Sequence, residues 1–209
     1  MKILLIDDHS LFRDGLIELI SEKIQDVIFG EVKEDAELYD KLHSDAWDLV
    51  ILDLNMPGRS GLEILKDVKV QYPNLPVLIL SMYSENQFAV RVIKAGAAGY
   101  LTKGVSPGEL CKAIKTVIEG KVYFTDEVAK IIAKRLKISE KPLLERLSDR
   151  EIEILIMISS GKTLTEIATE LSLSIKTVST HRHHILEKLN LKNNIEISRF
   201  AIENSLIFY

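Results

Sequence analysis

The sequence predicts an open, doubly wound α/β domain followed by a small all-α domain. Three observations carry that prediction. Five short runs rich in apolar residues, 2–7, 26–32, 49–54, 77–82 and 99–103, alternate with amphipathic stretches over the first 120 or so residues. Three of these runs are almost continuously apolar, the mark of parallel strands covered on both faces. After Gly120 the only further strand-like run is VYF at 122–124, and the rest of the chain reads as helix.

The elements follow in order. Helical stretches lie near 10–22, 35–44, 60–71 and 86–95, each between two of the apolar runs. A fifth, 107–119, is opened by Ser106 as cap, Pro107 at the first helical position and Glu109 three residues after the cap. Five repeats of strand then helix build the doubly wound sheet. Residues 125–138 read as a further helix, and SEKP at 139–142 as a polar break inside a linker of roughly 135–146. Beyond it, 147–161 carries the box Ser148-x-x-Glu151 and ends at Gly161, and 163–172 carries Thr163-x-x-Glu166. Ser174 caps 174–191, and 194–206 closes the chain. The expected division is therefore 1–121, a connecting helix and linker at 122–146, and 147–209.

Composition narrows the class. The chain has 209 residues, 46% hydrophobic and 28% charged, enough for packed cores without staples. A net charge of −4 argues against a generic polyanion binder. The single cysteine, Cys111, excludes an intramolecular disulfide, fits a reducing compartment and reads as a buried, inert thiol. No apolar run approaches the roughly 18–20 residues that span a bilayer. The opening MKILLIDD reaches two acids after four apolar residues, too short for a signal-peptide core. The expected location is the cytoplasm, with no membrane partner.

In a parallel sheet every strand ends on one edge, and ligands bind there at the switch in strand order. On that edge strand one ends in Asp7 and Asp8, strand three in Asp53, strand four in Ser81 and strand five in Lys103. A lone strand-end aspartate is usually a loop or cap residue, but this conjunction is hard to reach by accident. Clustered carboxylates raise one another's pKa unless a cation neutralises them. Mg²⁺ suits them, because it takes one or two carboxylates, several waters and a phosphate oxygen. A carboxylate beside Mg²⁺ can attack phosphorus, with Mg²⁺ and Lys103 supplying positive charge, Ser81 a hydrogen bond and Asn55 a backbone carbonyl to the metal.

LLIDDH, LDLNMPGRSGLEIL, ILSMYSE and KAGAAGYLTKG resemble the receiver domain of bacterial two-component response regulators over residues 1 to about 120. The resemblance implies a flavodoxin-like five-stranded fold. It implies that Asp53 accepts a phosphoryl group from a sensor histidine kinase or a phosphotransfer domain. It implies Mg²⁺ held by Asp8, Asp53 and the Asn55 carbonyl, with Asp7 acting mainly through water. Ser81 would be the switch hydroxyl, Lys103 the partner of the phosphoryl group, and Tyr100 the switch aromatic that turns inward into the space Ser81 leaves. His9 reads as structural. The receiver would catalyse only its own phosphoryl transfer and dephosphorylation.

LTEIATELSLSIKTVSTHRHHI has helix-turn-helix spacing. Val178, Ile185 and Leu189 give its second helix an inward face, and Lys176, Ser179, Thr180, Arg182 and His183 form the other. Residues 172–194 hold four basic residues against Glu187, a net of +3, while 148–209 holds 7 basic and 8 acidic residues. Attraction to phosphates is therefore confined to one face. His181 and His184 lie one helical turn apart, but phosphate contact or helix packing is a better use of them than metal.

LSDREIEIL, LTEIATEL and SIKTVSTHRHHILEKL resemble the four-helix DNA-binding domain of the LuxR/FixJ/NarL type. That implies a recognition helix at 174–190, with Ser179, Thr180 and His183 nearest the bases and Lys176, Thr177, His181 and Arg182 nearer phosphates. The last helix resembles the one that pairs in dimers of that family. Its Ile197, Phe200 and Ala201 form a stripe that either pairs or packs inward. The expected protein is a transcription regulator that dimerises on promoter DNA when phosphorylated. Two other classes fit the residues less well. A phosphohydrolase with an aspartyl intermediate commonly needs Asp-x-Asp on strand one, which has adjacent acids instead. A regulator working without phosphorylation, or through protein contact, sits poorly with the intact acidic set and the polar outer helix face.

Overall fold

The computed structural model describes residues 1–33, 35–136, 143–204 and 206–207. They fall into two compact units, Met1–Ala133 and Lys134–Tyr209. The polar break expected at 139–142 lies outside the described residues.

The first unit runs β1 (Lys2–Ile6), α1 (Ser10–Lys23), β2 (Ile28–Val32), α2 (Asp35–Ser44), β3 (Leu49–Leu52), α3 (Gly61–Gln71), β4 (Val77–Ser81), α4 (Glu85–Lys94), β5 (Gly99–Thr102) and α5 (Pro107–Ile118), and α6 (Asp126–Leu136) begins in it and runs past its end at Ala133. All strand pairs are parallel, in the order β2-β1-β3-β4-β5. The order reverses between β1 and β3, so the switch point lies at their carboxyl ends.

The continuous apolar runs are explained by burial on both sides. β3 and β4 are buried at every residue. Ile3, Leu5, Leu49, Ile51, Leu78, Leu80 and Leu101 pack against Leu16 and Ile20 of α1 and Leu110, Ala113, Ile114 and Val117 of α5. Alternation sends Leu4, Ile6, Val50, Leu52, Ile79, Ser81 and Tyr100 to the opposite face. Right-handed crossovers place α2, α3 and α4 over that face.

β1 and β3 end before the expected positions, and the reason is local. The Asp53 amide still donates to the Ile6 carbonyl (2.9 Å), but its Oδ1 then accepts the Asn55 amide (3.1 Å). Asp7 does the same after β1, accepting the His9 amide at 2.8 Å. Each aspartate thus closes its own turn and bends the chain off the sheet, which leaves both acids on the rim.

α3 begins hard against this rim. Ser60 and Glu63 cap it reciprocally, and the Gly61 amide donates to the Leu54 carbonyl (3.1 Å). A Cβ at Gly61 would lie 2.4 Å from the Asp53 carbonyl and 2.5 Å from the Leu54 Cα. Cys111 is buried and free of any disulfide.

The second unit has a 3-10 turn at Leu143–Arg146, then α7 (Asp149–Ser159), α8 (Leu164–Glu170), α9 (Ile175–Leu189) and α10 (Asn194–Glu203). α7 touches α8, α9 and α10. Ser148–Glu151 and Thr163–Glu166 both form capping boxes. Asn190, at φ 55°, ends α9 in the left-handed region that asparagine tolerates. The α10 residues Ile197, Phe200 and Ala201 are buried, so that stripe packs inward and leaves Ile195 and Ile202 exposed. No described helix is long and apolar enough to cross a membrane.

Gly61→Ala has no room to relax, because its neighbours are backbone. The substitution should destabilise the first unit by about 1–3 kcal/mol, read as a lower urea midpoint at unchanged slope.

Candidate functional site

The rim of the first unit gathers most of the residues singled out in the sequence. The Lys103 ammonium lies 2.7 Å from an oxygen of Asp7 and 2.7 Å from an oxygen of Asp53. Its amide donates to the Ser81 carbonyl (2.8 Å), which fixes the residue at the end of β5. Its other side lies over the Phe12 ring, 4.3 Å from the centroid. Asp53 is 2% exposed and Asp7 5%, while Asp8 is open to solvent.

The electrostatics follow. Burial raises the Asp53 carboxyl above its ordinary value, Lys103 pulls it back, and Asp7 adds to the rise. Burial alone would lower Lys103, but Asp53 and Asp7 outweigh it and the ammonium is held charged. A buried carboxylate still above its ordinary value beside a lysine gains from a further cation. Asp7, Asp8 and Asp53 each offer an oxygen, within 4.8 Å of one another. This hard, mostly oxygen donor set fits Mg²⁺ better than a soft metal.

His9 has a larger part than the sequence suggested. Its Nδ1 lies 3.0 Å from Asp8, 3.2 Å from Asp7 and 4.0 Å from Asp53, in the middle of the carboxylates. Adjacency to the acids in sequence was the only signal for it. Arg13, also unremarked in the sequence, is buried in α1. It donates to the Asp7 carbonyl (2.7 Å) and pairs with Glu31 (2.6 Å), which fixes the backbone of the first acid.

Ser81 is fully buried, and its Oγ accepts the Tyr83 amide at 3.3 Å. The Tyr83 hydroxyl reaches Asn55 Oδ1 at 3.3 Å. Tyr100, the expected switch aromatic, stands inward in this structure. It is fully buried and its hydroxyl donates to the Tyr83 carbonyl at 2.7 Å. Burial pushes its phenol far up, against a hydrogen bond from Ser81.

In the second unit, Ile175, Lys176, Ser179, Thr180, Arg182 and His183 line one open hollow on α9. Lys176, Ser179, Thr180 and His183 are exposed. Thr180 gives its hydroxyl proton to the Lys176 carbonyl (3.0 Å), leaving oxygen lone pairs outward. Arg182 is held by Asn194 at 2.6 Å. Thr177 bonds to the cap residue Ser174. His181 differs from the other six. With Val178 and Ile185 it lies on the inward stripe, its Nδ1 is buried, and burial lowers its pKa. It faces Glu151 and His184. Both Glu151 oxygens already accept from Lys188 (2.8 and 2.7 Å), and one also takes the Ser148 amide (2.7 Å). This cluster reads as an internal tie between α7 and α9.

Residues 3–115 match the family described as response regulator receiver domain, and 145–201 the family described as bacterial regulatory proteins, luxR family. Response regulator UvrY of Escherichia coli (strain K12) is 32% identical over 209 residues, covering 99% of this chain and 95% of UvrY. Response regulator GacA of Pseudomonas aeruginosa PAO1 is 33% identical over 213 residues, covering 99% and 98%. Among solved structures, RcsB from Salmonella enterica serovar Typhimurium is similar with TM-score 0.61 at 27% identity, covering 98% of each chain. That RcsB is bound to promoter P1flhDC in the presence of the phosphomimetic BeF3⁻.

Glu151 provides a pH test. Burial would raise its carboxyl, but hydrogen bonds from Lys188 and Ser148 hold it below the ordinary 4.5. Its stabilisation is therefore complete above that value and is lost as pH falls toward the lowered one. Glu151→Gln should be destabilising by on the order of 1–2 kcal/mol at pH 7, with the gap to wild type narrowing below about pH 4, as measured by urea denaturation across pH.

Proposed function

The chain belongs to the two-component response regulators with a LuxR-type output domain, and on that premise we propose that phosphorylation of Asp53 controls its binding to promoter DNA. The observation that carries the reading is the Asp7–Lys103–Asp53 bridge at the switch point of the sheet, with each ion pair at 2.7 Å. Asp53 is the acceptor, one of its carboxylate oxygens attacking phosphorus as the bond to the histidine of a sensor kinase or phosphotransfer domain breaks. Asp8, Asp53 and the Asn55 carbonyl would hold Mg²⁺, and Asp7 would act on it mainly through water. Bound Mg²⁺ supplies the positive charge that in-line phosphoryl transfer needs.

Lys103 then exchanges a carboxylate for a phosphoryl oxygen. Ser81 gives up its bonds to Tyr83 and Tyr100 and turns its hydroxyl to the phosphoryl group. Because Tyr100 is already inward, the moving parts are Ser81 and the turn from Met82 to Ser84. The protein is no turnover enzyme, since the receiver catalyses only its own phosphorylation and dephosphorylation.

We take 1–121 as receiver, 122–146 as connector and 147–209 as output domain. α9 enters the major groove, with Ser179, Thr180 and His183 at the bases and Lys176, Thr177 and Arg182 at phosphates; His181 packs inward instead. The phosphorylated form is a homodimer, and exposed Ile195 and Ile202 are the large apolar α10 residues available to it. A DNA partner makes the cytoplasm the place of action.

Asp53→Asn, incubated with acetyl phosphate and Mg²⁺, should take up no phosphoryl group by intact mass; wild-type uptake would overturn the assignment. Thr180→Ala and His183→Ala should each weaken promoter binding by about 1–3 kcal/mol. Lys176→Ala should weaken all sequences alike and reduce the salt slope by about one. Fluorescence anisotropy across salt concentrations separates the two outcomes.

A further inference from the structure

The segment after α5 turns back and lies along β5, the last strand of the sheet. The Tyr123 amide donates to the Ala98 carbonyl (2.8 Å), and Tyr123 pairs with Gly99 in an isolated parallel bridge. Gly99 makes room for this. A Cβ there would sit 2.8 Å from the Tyr123 carbonyl oxygen and 2.7 Å from a Leu78 methyl. The Tyr123 hydroxyl bonds to Glu109 of α5 (3.2 Å), and the Lys112 ammonium lies 5.8 Å from its ring centroid.

Two residues on, Thr125 makes two bonds with one hydroxyl. It donates to Glu85 (2.7 Å) and accepts the Val128 amide (3.3 Å), an orphan donor of the first turn of α6. Val128 is fully buried beneath this turn. Glu85 is the first residue of α4, two residues after Tyr83. Tyr83 in turn bonds to Ser81 through its amide and to Tyr100 through its carbonyl. A continuous path of hydrogen bonds and short backbone thus runs from Ser81 to the start of α6.

We infer that Thr125 is a positioning residue that ties the first turn of α6 to the β4–α4 turn. The inference rests on the reading of Asp53 as phosphoacceptor. When Ser81 leaves Tyr83, the β4–α4 turn shifts and carries Glu85 with it. Thr125 then loses Glu85, and its hydroxyl is no longer held in the orientation that caps α6. The first turn of α6 loosens, and the chain leading to the output domain is released from the receiver. Coupling is reciprocal, so freeing α6 also loosens the β4–α4 turn. Tyr123 stays pinned to Ala98 and Glu109, which keeps the release local to the residues after 124.

Hydrogen exchange on the full-length protein tests this. Without a phosphoryl donor, Thr125→Val should speed exchange in 126–130 and also in 82–88, each by about threefold or more. Glu85→Ala should speed 126–130 likewise, and Thr125→Ser should restore wild-type rates. A merely structural cap would loosen 126–130 in Thr125→Val and leave 82–88 untouched. That result, or no effect of Glu85→Ala on 126–130, would overturn the inference. With acetyl phosphate and Mg²⁺, occupancy of Asp53 is read by intact mass. Wild-type exchange in 126–130 should rise with occupancy, while Thr125→Val, already fast, should not respond. Unchanged exchange at full occupancy would also overturn it. Absence of phosphoryl uptake would instead overturn the reading of Asp53, and the donor-free comparison would still decide the coupling.

Discussion

One ammonium holds two buried carboxylates together at the end of the sheet, and much of the receiver is arranged around that fact. Lys103 reaches Asp7 and Asp53 equally. Removing both acids from water is unfavourable, and Lys103 alone does not return Asp53 to its ordinary pKa. The surrounding structure keeps the arrangement rigid. β1 and β3 are locked side by side in the middle of the sheet, Arg13 fixes the Asp7 carbonyl, and Gly61 lets α3 press against the backbone of Asp53. A site held in this way leaves hydroxyls and turns, more than the sheet, as the parts able to shift.

The helical unit solves a different problem. Its helices are short, and short helices need their ends satisfied. Ser148, Thr163, Ser174 and Asn193 each cap one. Glu151 serves twice, closing the box on α7 and gripping Lys188 of α9. The tie sets how α9 stands on the core, and the outer face of α9 is left to polar side chains. His181, turned inward by its place on the Val178–Ile185 stripe, belongs to the tie.

Much of this was legible in the residues, because the signals are periodic or local. Continuous apolar runs announced covered strands, and Ser-x-x-Glu announced helix starts. The strand-end positions of Asp7, Asp53, Ser81 and Lys103 announced a shared edge once the sheet was known to be parallel. What was not legible depends on side-chain direction or on distant partners. The true ends of β1 and β3 depend on Asp7 and Asp53 bonding to their own turns. The inward stance of Tyr100 depends on a carbonyl 17 residues away. The approach of His9 to Asp53, the pairing of Arg13 with Glu31 and the Glu151–Lys188 pair join residues far apart in the chain. No spacing rule reaches them.

The bridge between Gly99 and Tyr123 has one more consequence. A sheet that is not closed into a barrel ends in strands whose outer peptide groups can template another chain. β5 is such a strand, and it is nearly all buried and uncharged. Tyr123 takes the Ala98 carbonyl for itself, and the segment bearing it covers the start of the strand. The same few residues that lead out of the receiver therefore also guard it against edge-to-edge aggregation.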